Sequence, residues 1–312
     1  MIEPLVFHPL YMERPWGGRS LARLYGRALP EGPPIGESWE IVDREREQSV
    51  VAEGPWAGRT LHDLWTGHRA EIFGENTLGH PSPRFPLLIK ILDAADTLSI
   101  QVHPPAHCAA ELGGEPKTEM WYIAAAEPGA ALYAGVKEGV DRARFEQALA
   151  DGSVASAVPT LPVAAGDSIF IPSGRLHAIG AGLVIFEIQQ NSDTTYRVFD
   201  WNRLGLDGKP RTLHVEESLR CIDFTDTAPA LNPPDAAALA DCPYFRVEKR
   251  VLQKGQALPL PGFRIFAVAS GRVTVGSRTF APGDFFFMPA AARGQAEITA
   301  LSPATLLEIS LP

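Results

Sequence analysis

Two separated stretches of the chain share one frame, and this internal repeat limits the fold more than any other feature. Residues 164–179 read AAGDSIFIPSGRLHAI and residues 281–298 read APGDFFFMPAAARGQAEI. Each places Gly-Asp before a bulky apolar run that ends in proline, at Pro172 and Pro289. A Gly-Asp turn starts a strand, and the proline turn sends the chain back. Short β-rich runs broken by Gly and Pro surround both copies, such as LHAIGAGLVIFEIQQ and FRIFAVASGRVTVG. The pattern predicts a mainly β chain with two small barrels or sandwiches and a few short helices. The copies differ at one position that bears on chemistry. Five residues after its proline the first copy has His177, where the second has Gly294. A polar site is expected in the first copy alone.

Helical spacing appears at 57–75 (with a break), at 138–151 and at 214–223. The stretch 226–240, TDTAPALNPPDAAAL, reads as a linker. The expected organisation is therefore 1–225 as a site-bearing unit with helical insertions, 226–240 as linker, and 241–312 as a degenerate second unit.

Bulk properties remove several function classes. Lys and Arg number 28 against 37 Asp and Glu, a net charge of −9. An acidic surface argues against nucleic acid as a partner, although a few cations in one pocket still suit a small anion. The three cysteines (Cys108, Cys221, Cys242) form no CxxC pair, which points away from a disulfide framework and toward a reducing, cytoplasmic setting. The start, MIEPLVFHPL, has no signal-like basic and apolar blocks, and no apolar run approaches ~18 residues. No membrane association is expected, and composition is silent on monomer versus dimer.

Three clusters carry candidate chemistry. In SIQVHPPAH (99–107) Gln101 and His103 alternate with Ile100 and Val102, so on a strand the polar pair shares a face. His107 falls in a turn and reads as exposed. In KTEMWYI (117–123) Lys117 and Glu119 share a face, which Trp121 continues. His177 is the third cluster. Two imidazoles, a carboxylate and a side-chain amide suit one divalent ion in an open site, and zinc fits that donor set. Any one cluster alone is more often an ordinary satisfied polar group; the conjunction in otherwise apolar strands favours metal. Arg197, inside TTYRVFDW, needs an anionic partner, either a ligand or a structural carboxylate such as Asp193 or Asp200.

The segment G-D-x-x-x-x-P-x-G-x-x-H around His177 resembles one of the metal-binding motifs of cupins. On a larger scale the chain resembles the type I mannose-6-phosphate isomerases in their short bacterial form. The resemblance runs through YMERPWGG (11–18), GESWEI (36–41), PLLIKILDAADTLSIQVHP (86–104), KTEMWYI (117–123), IPSGRLHAIG (171–180) and QQNSDTTYRVFDWNR (189–203). It implies two cupin-type jelly-roll barrels. It implies zinc on His103, Glu119 and His177, with Gln101 as a fourth ligand in some members. It implies Arg197 as the active-site arginine, and Lys117 and Ser99 at positions that handle substrate or phosphate. The extra helical domain of the longer members has no room here.

The implied reaction interconverts mannose 6-phosphate and fructose 6-phosphate through a cis-enediol, with the metal stabilising the enediolate. The general base stays open among a metal-bound water, Lys117 and Glu40. Rival readings are another metal-dependent cupin sugar isomerase or epimerase, an iron dioxygenase, and a non-enzymatic sugar-binding cupin.

Overall fold

A computed structural model describes residues 3–312. In chain order its strands are β1 Leu10–Gly18, β2 Ile35–Ile41, β3 Leu87–Ala94, β4 Ile100–Val102, β5 Glu119–Ala126, β6 Ala131–Ala134, β7 Thr160–Pro162, β8 Ser168–Ile171, β9 His177–Ile179 and β10 Leu183–Gln190. There follow β11 Tyr196–Phe199, β12 Ala238–Asp241, β13 Arg246–Leu252, β14 Ala257–Pro259, β15 Arg264–Ser270, β16 Val273–Val275, β17 Arg278–Phe280, β18 Phe285–Met288, β19 Glu297–Ala300 and β20 Ala304–Ser310. The short helices are α1 Ser20–Tyr25, α2 Leu61–Gly67, α3 Arg69–Phe73, α4 Ala106–Ala109, α5 Arg142–Asp151 and α6 Val215–Cys221. The chain is mainly β, as its pattern predicts. The expected helix at 57–75 breaks into α2 and α3, and 138–151 and 214–223 deliver α5 and α6. None of the described helices is long and apolar enough to cross a membrane.

The internal repeat extends to whole sheets. One sheet runs β1-β2-β3-β10-β5-β8, and its counterpart runs β12-β13-β20-β15-β18. A second sheet runs β11-β4-β9-β6-β7, and its counterpart runs β14-β19-β16-β17. Strands β2–β10 thus match β12–β20 one for one. The Gly-Asp turn acts identically in both copies. Asp167 Oδ2 accepts from the Ala164 N–H and Asp284 Oδ2 from the Ala281 N–H, each at 2.8 Å. An aspartate three residues along caps each turn in this way, which explains the shared spelling.

The compact units are not consecutive stretches. One gathers the residues through Leu10 with Trp39–Ile89 and Asp235–Pro312; the other comprises Tyr11–Ser38 and Lys90–Pro234. The stretch read as a linker ends in β12, so only its first part is irregular.

In the first unit Phe266, Val268, Phe286, Met288 and Leu306 of one sheet pack with Val273, Val275, Phe280, Ile298 and Ala300 of the other. Phe286 is fully buried and stacks on Phe280 at 4.0 Å and Phe266 at 5.4 Å between centroids. Phe286→Ala should cost about 3–5 kcal/mol of stability. Urea denaturation checks the loss, and metal content per folded chain should not change.

In the second unit β5, β8 and β10 pack on β6 and β9 through Trp121, Ile123, Ile169, Ile185, Leu132 and Ile179. The outer face of β4, β9 and β11 is apolar too. Ile100, Val102, Ala178, Tyr196 and Val198 pack with Cys108, Phe145 and Cys221 from the helices. With the outer face covered, strand alternation turns Ser99, Gln101, His103, His177 and Arg197 to the opposite face.

Candidate metal centre and cavity

His177, Gln101 and Arg197 stand in one row across three strands. Gln101 of β4 pairs with His177 of β9 on one side and with Arg197 of β11 on the other. The PSG turn sets the height of His177. Gly174 has φ +92°, and its N–H donates to the carbonyl of His103 at 2.9 Å. An L side chain there would be strained and would also meet the Cys221 carbonyl at 3.2 Å. The turn therefore ties the approach to His177 onto the residue that carries the other imidazole.

His103, Glu119 and His177 are buried, and one donor atom from each lies within 4.8 Å of the others. Glu119 comes from the first residue of β5. His103 Nδ1 bonds the Thr194 carbonyl and His177 Nδ1 bonds the Arg175 carbonyl, both at 2.9 Å. A carbonyl only accepts, so each Nδ1 carries the proton and each Nε2 presents a lone pair. Those lone pairs face Glu119, at 3.5 Å for His103 and 3.7 Å for His177. Both Glu119 oxygens are buried without a hydrogen bond of acceptable geometry, although the Lys117 ammonium is 2.8 Å from Oε2. Two oriented imidazole lone pairs and a buried carboxylate fit a divalent cation, with the Lys117 ammonium facing Glu119 Oε2 and His103 Nε2 in its absence.

The electrostatics agree. Burial pushes the His177 imidazole down to about 3 and lowers His103 as well, so both are neutral and ligand-competent at pH 7. Burial alone would raise Glu119, but the Lys117 ammonium outweighs it and holds the carboxyl well below its usual range. Burial alone would lower Lys117, but Glu119 and Glu187 outweigh it and keep the ammonium protonated.

Gln101 sits beside this trio in a different role. Its Nε2 is 3.4 Å from His177 Nε2, and its Oε1 accepts from Ser99 Oγ at 3.0 Å. Ligation through Oε1 requires the amide to rotate, which Ser99 permits because a hydroxyl donates or accepts.

A cavity of about 580 Å³ opens over the row, and Ser99, Gln101, Lys117 and Arg197 all line it. Arg197 Nε donates to Ser99 Oγ at 3.2 Å and its NH1 to the Thr212 carbonyl at 3.0 Å. The structural-carboxylate alternative for Arg197 fails. Asp200 bonds Arg203 at 2.7 Å and Arg211 at 2.5 and 2.6 Å instead. His107 is exposed, as its turn suggested.

Glu40 does not line the cavity. Strand alternation on β2 puts Glu37, three residues earlier, on the opposite face, and Glu37 is the lining acid. Two charged cavity residues in apolar strands escaped the sequence reading, Lys90 and Glu187, and Asp193, considered only as a partner for Arg197, lines the cavity too. Lys90 and Glu187 belong to a buried row of alternating charge. Arg14 bonds Glu37 at 2.8 Å; Lys90 reaches Glu37 at 3.6 Å and Glu187 at 3.3 Å; Lys117 reaches Glu187 at 3.9 Å and Glu119 at 2.8 Å. Trp121 Nε1 donates to Glu187 at 3.0 Å. A charged residue in the middle of an apolar strand (Lys90 in PLLIKILDA, Glu187 in LVIFEIQQ) was the available signal.

Comparison with known proteins bears on this geometry. The model of the family "Phosphomannose isomerase type I, catalytic domain" matches residues 5–130, which include Gln101, His103, Lys117 and Glu119. A mannose-6-phosphate isomerase of Streptococcus mutans is 37% identical over 302 residues, 93% of each chain. The chain belongs to the type I mannose-6-phosphate isomerase family. A crystal structure of the mannose 6-phosphate isomerase from Bacillus subtilis, 30% identical, covers 99% of both chains with a TM-score of 0.85. A mannose 6-phosphate isomerase crystallised with zinc and yttrium shares the fold at 16% identity, with a TM-score of 0.72. His103, Glu119 and His177 lie on the unit formed by Tyr11–Ser38 and Lys90–Pro234.

Proposed function

We propose that the chain interconverts mannose 6-phosphate and fructose 6-phosphate, with one zinc ion held by His103, Glu119 and His177. The observation that carries this reading is the buried trio, with both Nδ1 protons fixed, in contact with Gln101 and Lys117, which line a cavity together with the cation Arg197. A divalent ion there would polarise the sugar's carbonyl oxygen and favour the enediolate over the keto form. The strands of His177 and Arg197 are two spacings apart, roughly 10 Å. The C1–C2 end of an open-chain sugar therefore fits at the histidines with its phosphate toward Arg197 and Ser99.

Lys117 stays protonated, so its role is to donate to a sugar oxygen rather than to take the C–H proton. In place of a metal-bound water, we assign the base to a carboxylate of the cavity. Glu37 is engaged by Arg14 and Lys90, and Glu187 by Trp121 and Lys90. Asp193 is exposed on the cavity wall, makes no ion pair among the described residues, and is the base we assign. Ser99 bridges Gln101 and Arg197, so it sets both the amide and the guanidinium. Catalysis belongs to the unit with the trio. The repeat copy, with Gly294 in place of a histidine, contributes none.

A coupled assay with mannose 6-phosphate on purified protein, before and after chelation, tests the reading. Activity should vanish on chelation and return with zinc; no turnover after zinc is restored would defeat it. Arg197→Ala should keep its metal and lose at least tenfold in kcat, about 1.4 kcal/mol of barrier. A smaller loss would remove Arg197 from the chemistry.

A further inference from the structure

The cavity holds more positive charge than metal chemistry uses. Beyond β11 the backbone is left-handed at Trp201 and Asn202, both at φ 55°. Non-glycine residues adopt this only when neighbours enforce it. Here Trp201 Nε1 donates to the Leu98 carbonyl at 2.7 Å and Arg203 to the Thr97 carbonyl at 2.6 Å. From that anchored corner the chain makes a small hairpin, with Leu204 bridged to Pro210 and the Gly205 N–H bonded to the Lys209 carbonyl at 2.7 Å. Gly205, Leu206 and Asp207 form cavity wall, and the chain leaving the hairpin adds Arg211 and His214.

Three guanidinium groups gather beside this wall. Asp200 is shared by Arg203 and Arg211, while Arg203 also reaches Asp96, a largely solvated carboxylate, at 3.1 Å. Among the described residues, the Arg197 guanidinium bonds the Ser99 hydroxyl and the Thr212 carbonyl. Burial and the neighbouring Arg211 charge push Arg197 down to about 10, and the nearby Asp200 carboxylate offsets this only in part. Asp193 and Asp207 line the same cavity without bonding these arginines. His214 is tied to Arg197 in both directions. Its N–H donates to the Arg197 carbonyl at 2.7 Å, and its Nδ1 accepts from the Arg197 N–H at 3.3 Å. A backbone N–H can only donate, so the neutral ring carries its proton on Nε2 and offers a donor.

We propose that Arg211 and His214 complete, with Arg197, a subsite for the substrate's phosphoryl group and so set the preference for phosphorylated over free sugars. The inference rests on the function proposed above and extends it to two residues outside the motifs that revealed the site. A guanidinium fork matches phosphate oxygens, and charge-assisted bonds of this kind are about twice as strong as neutral ones. Arg211 shares its carboxylate with Arg203, so it is the arginine best placed to turn part of its fork to a dianion.

The test uses zinc-loaded protein, with inorganic phosphate titrated by calorimetry and KM and kcat measured for mannose 6-phosphate. Arg211→Met should raise both the phosphate Kd and KM at least tenfold, with a smaller fall in kcat. His214→Asn keeps an acceptor near the Nδ1 position but deletes the Nε2 donor; it should raise both about threefold, and His214→Gln should restore them. Phosphate Kd and KM within twofold of wild type in Arg211→Met would overturn the proposal. Arg211 also braces Asp200, so thermal unfolding is followed in parallel. If Arg211→Met does not fold, His214→Asn decides, and an unchanged phosphate Kd there overturns the proposal. A wild-type protein that binds phosphate through Arg211 yet fails to turn over the sugar would sink the isomerase reading and leave the subsite standing.

Discussion

His177→Ala yields a protein that purifies without zinc and loses at least a thousandfold in kcat/KM. The side chain supplies one of only two imidazole lone pairs at the centre, and its Nδ1 is committed to the Arg175 carbonyl. Alanine leaves the centre with one imidazole and one carboxylate, too few for a stable open zinc site. Lewis-acid stabilisation of an enediolate is worth several kcal/mol, and about 4 kcal/mol corresponds to three powers of ten. Metal analysis by mass spectrometry and the coupled assay read the two effects separately. Full zinc occupancy in the variant would remove His177 from the ligand set. Full occupancy with full activity would reject the centre altogether.

Lys117→Met keeps the metal and loses at least a hundredfold in kcat. The ammonium is 3.1 Å from His103 Nε2 and 2.8 Å from Glu119, so it competes with a cation for the same two atoms. Its removal should not weaken zinc binding. A positioned acid contributes about 10²–10⁴ to a proton-transfer step, which sets the size of the loss. The variant also leaves Glu119 and Glu187 buried with less compensation. Breaking a buried pair costs about 3–5 kcal/mol, so the zinc-free variant should unfold well before the zinc-loaded one. Thermal unfolding with and without zinc measures that gap. An unchanged kcat in the zinc-loaded variant would make Lys117 a purely structural charge.

Much of this centre was legible before any coordinates. Strand alternation placed Gln101 and His103 on one face, the family resemblance added Ser99, and the covering of Ile100 and Val102 by helix residues turned that face inward. The contrast between His177 and Gly294 located the site in one copy of the repeat. Glu40 and Glu37 show where such reading stops. Both are acids of GESWE on β2, and only the orientation of the strand says which one lines the cavity. The alternative partner for Arg197 was likewise undecidable, because Asp200 is sequence-close to three arginines and bonds the two that are not Arg197.

The sequence by itself determined what periodicity and local turns encode. These are the mainly β repeat, the turn that leads to His177, the three segments that carry the candidate ligands and, through family resemblance, the sugar phosphate. The tertiary structure alone decided the charge neighbourhoods. The row Arg14–Glu37–Lys90–Glu187–Lys117–Glu119 draws on five separated segments. The arginine cluster depends on a hairpin with no motif of its own. The compact units interleave the chain, with Trp39–Ile89 joining Asp235–Pro312 rather than its sequence neighbours. The reason is physical. Hydrogen-bonded strands and turns are set by residues a few positions apart, whereas a buried charge takes its protonation and its partner from whatever the fold brings within about 4 Å.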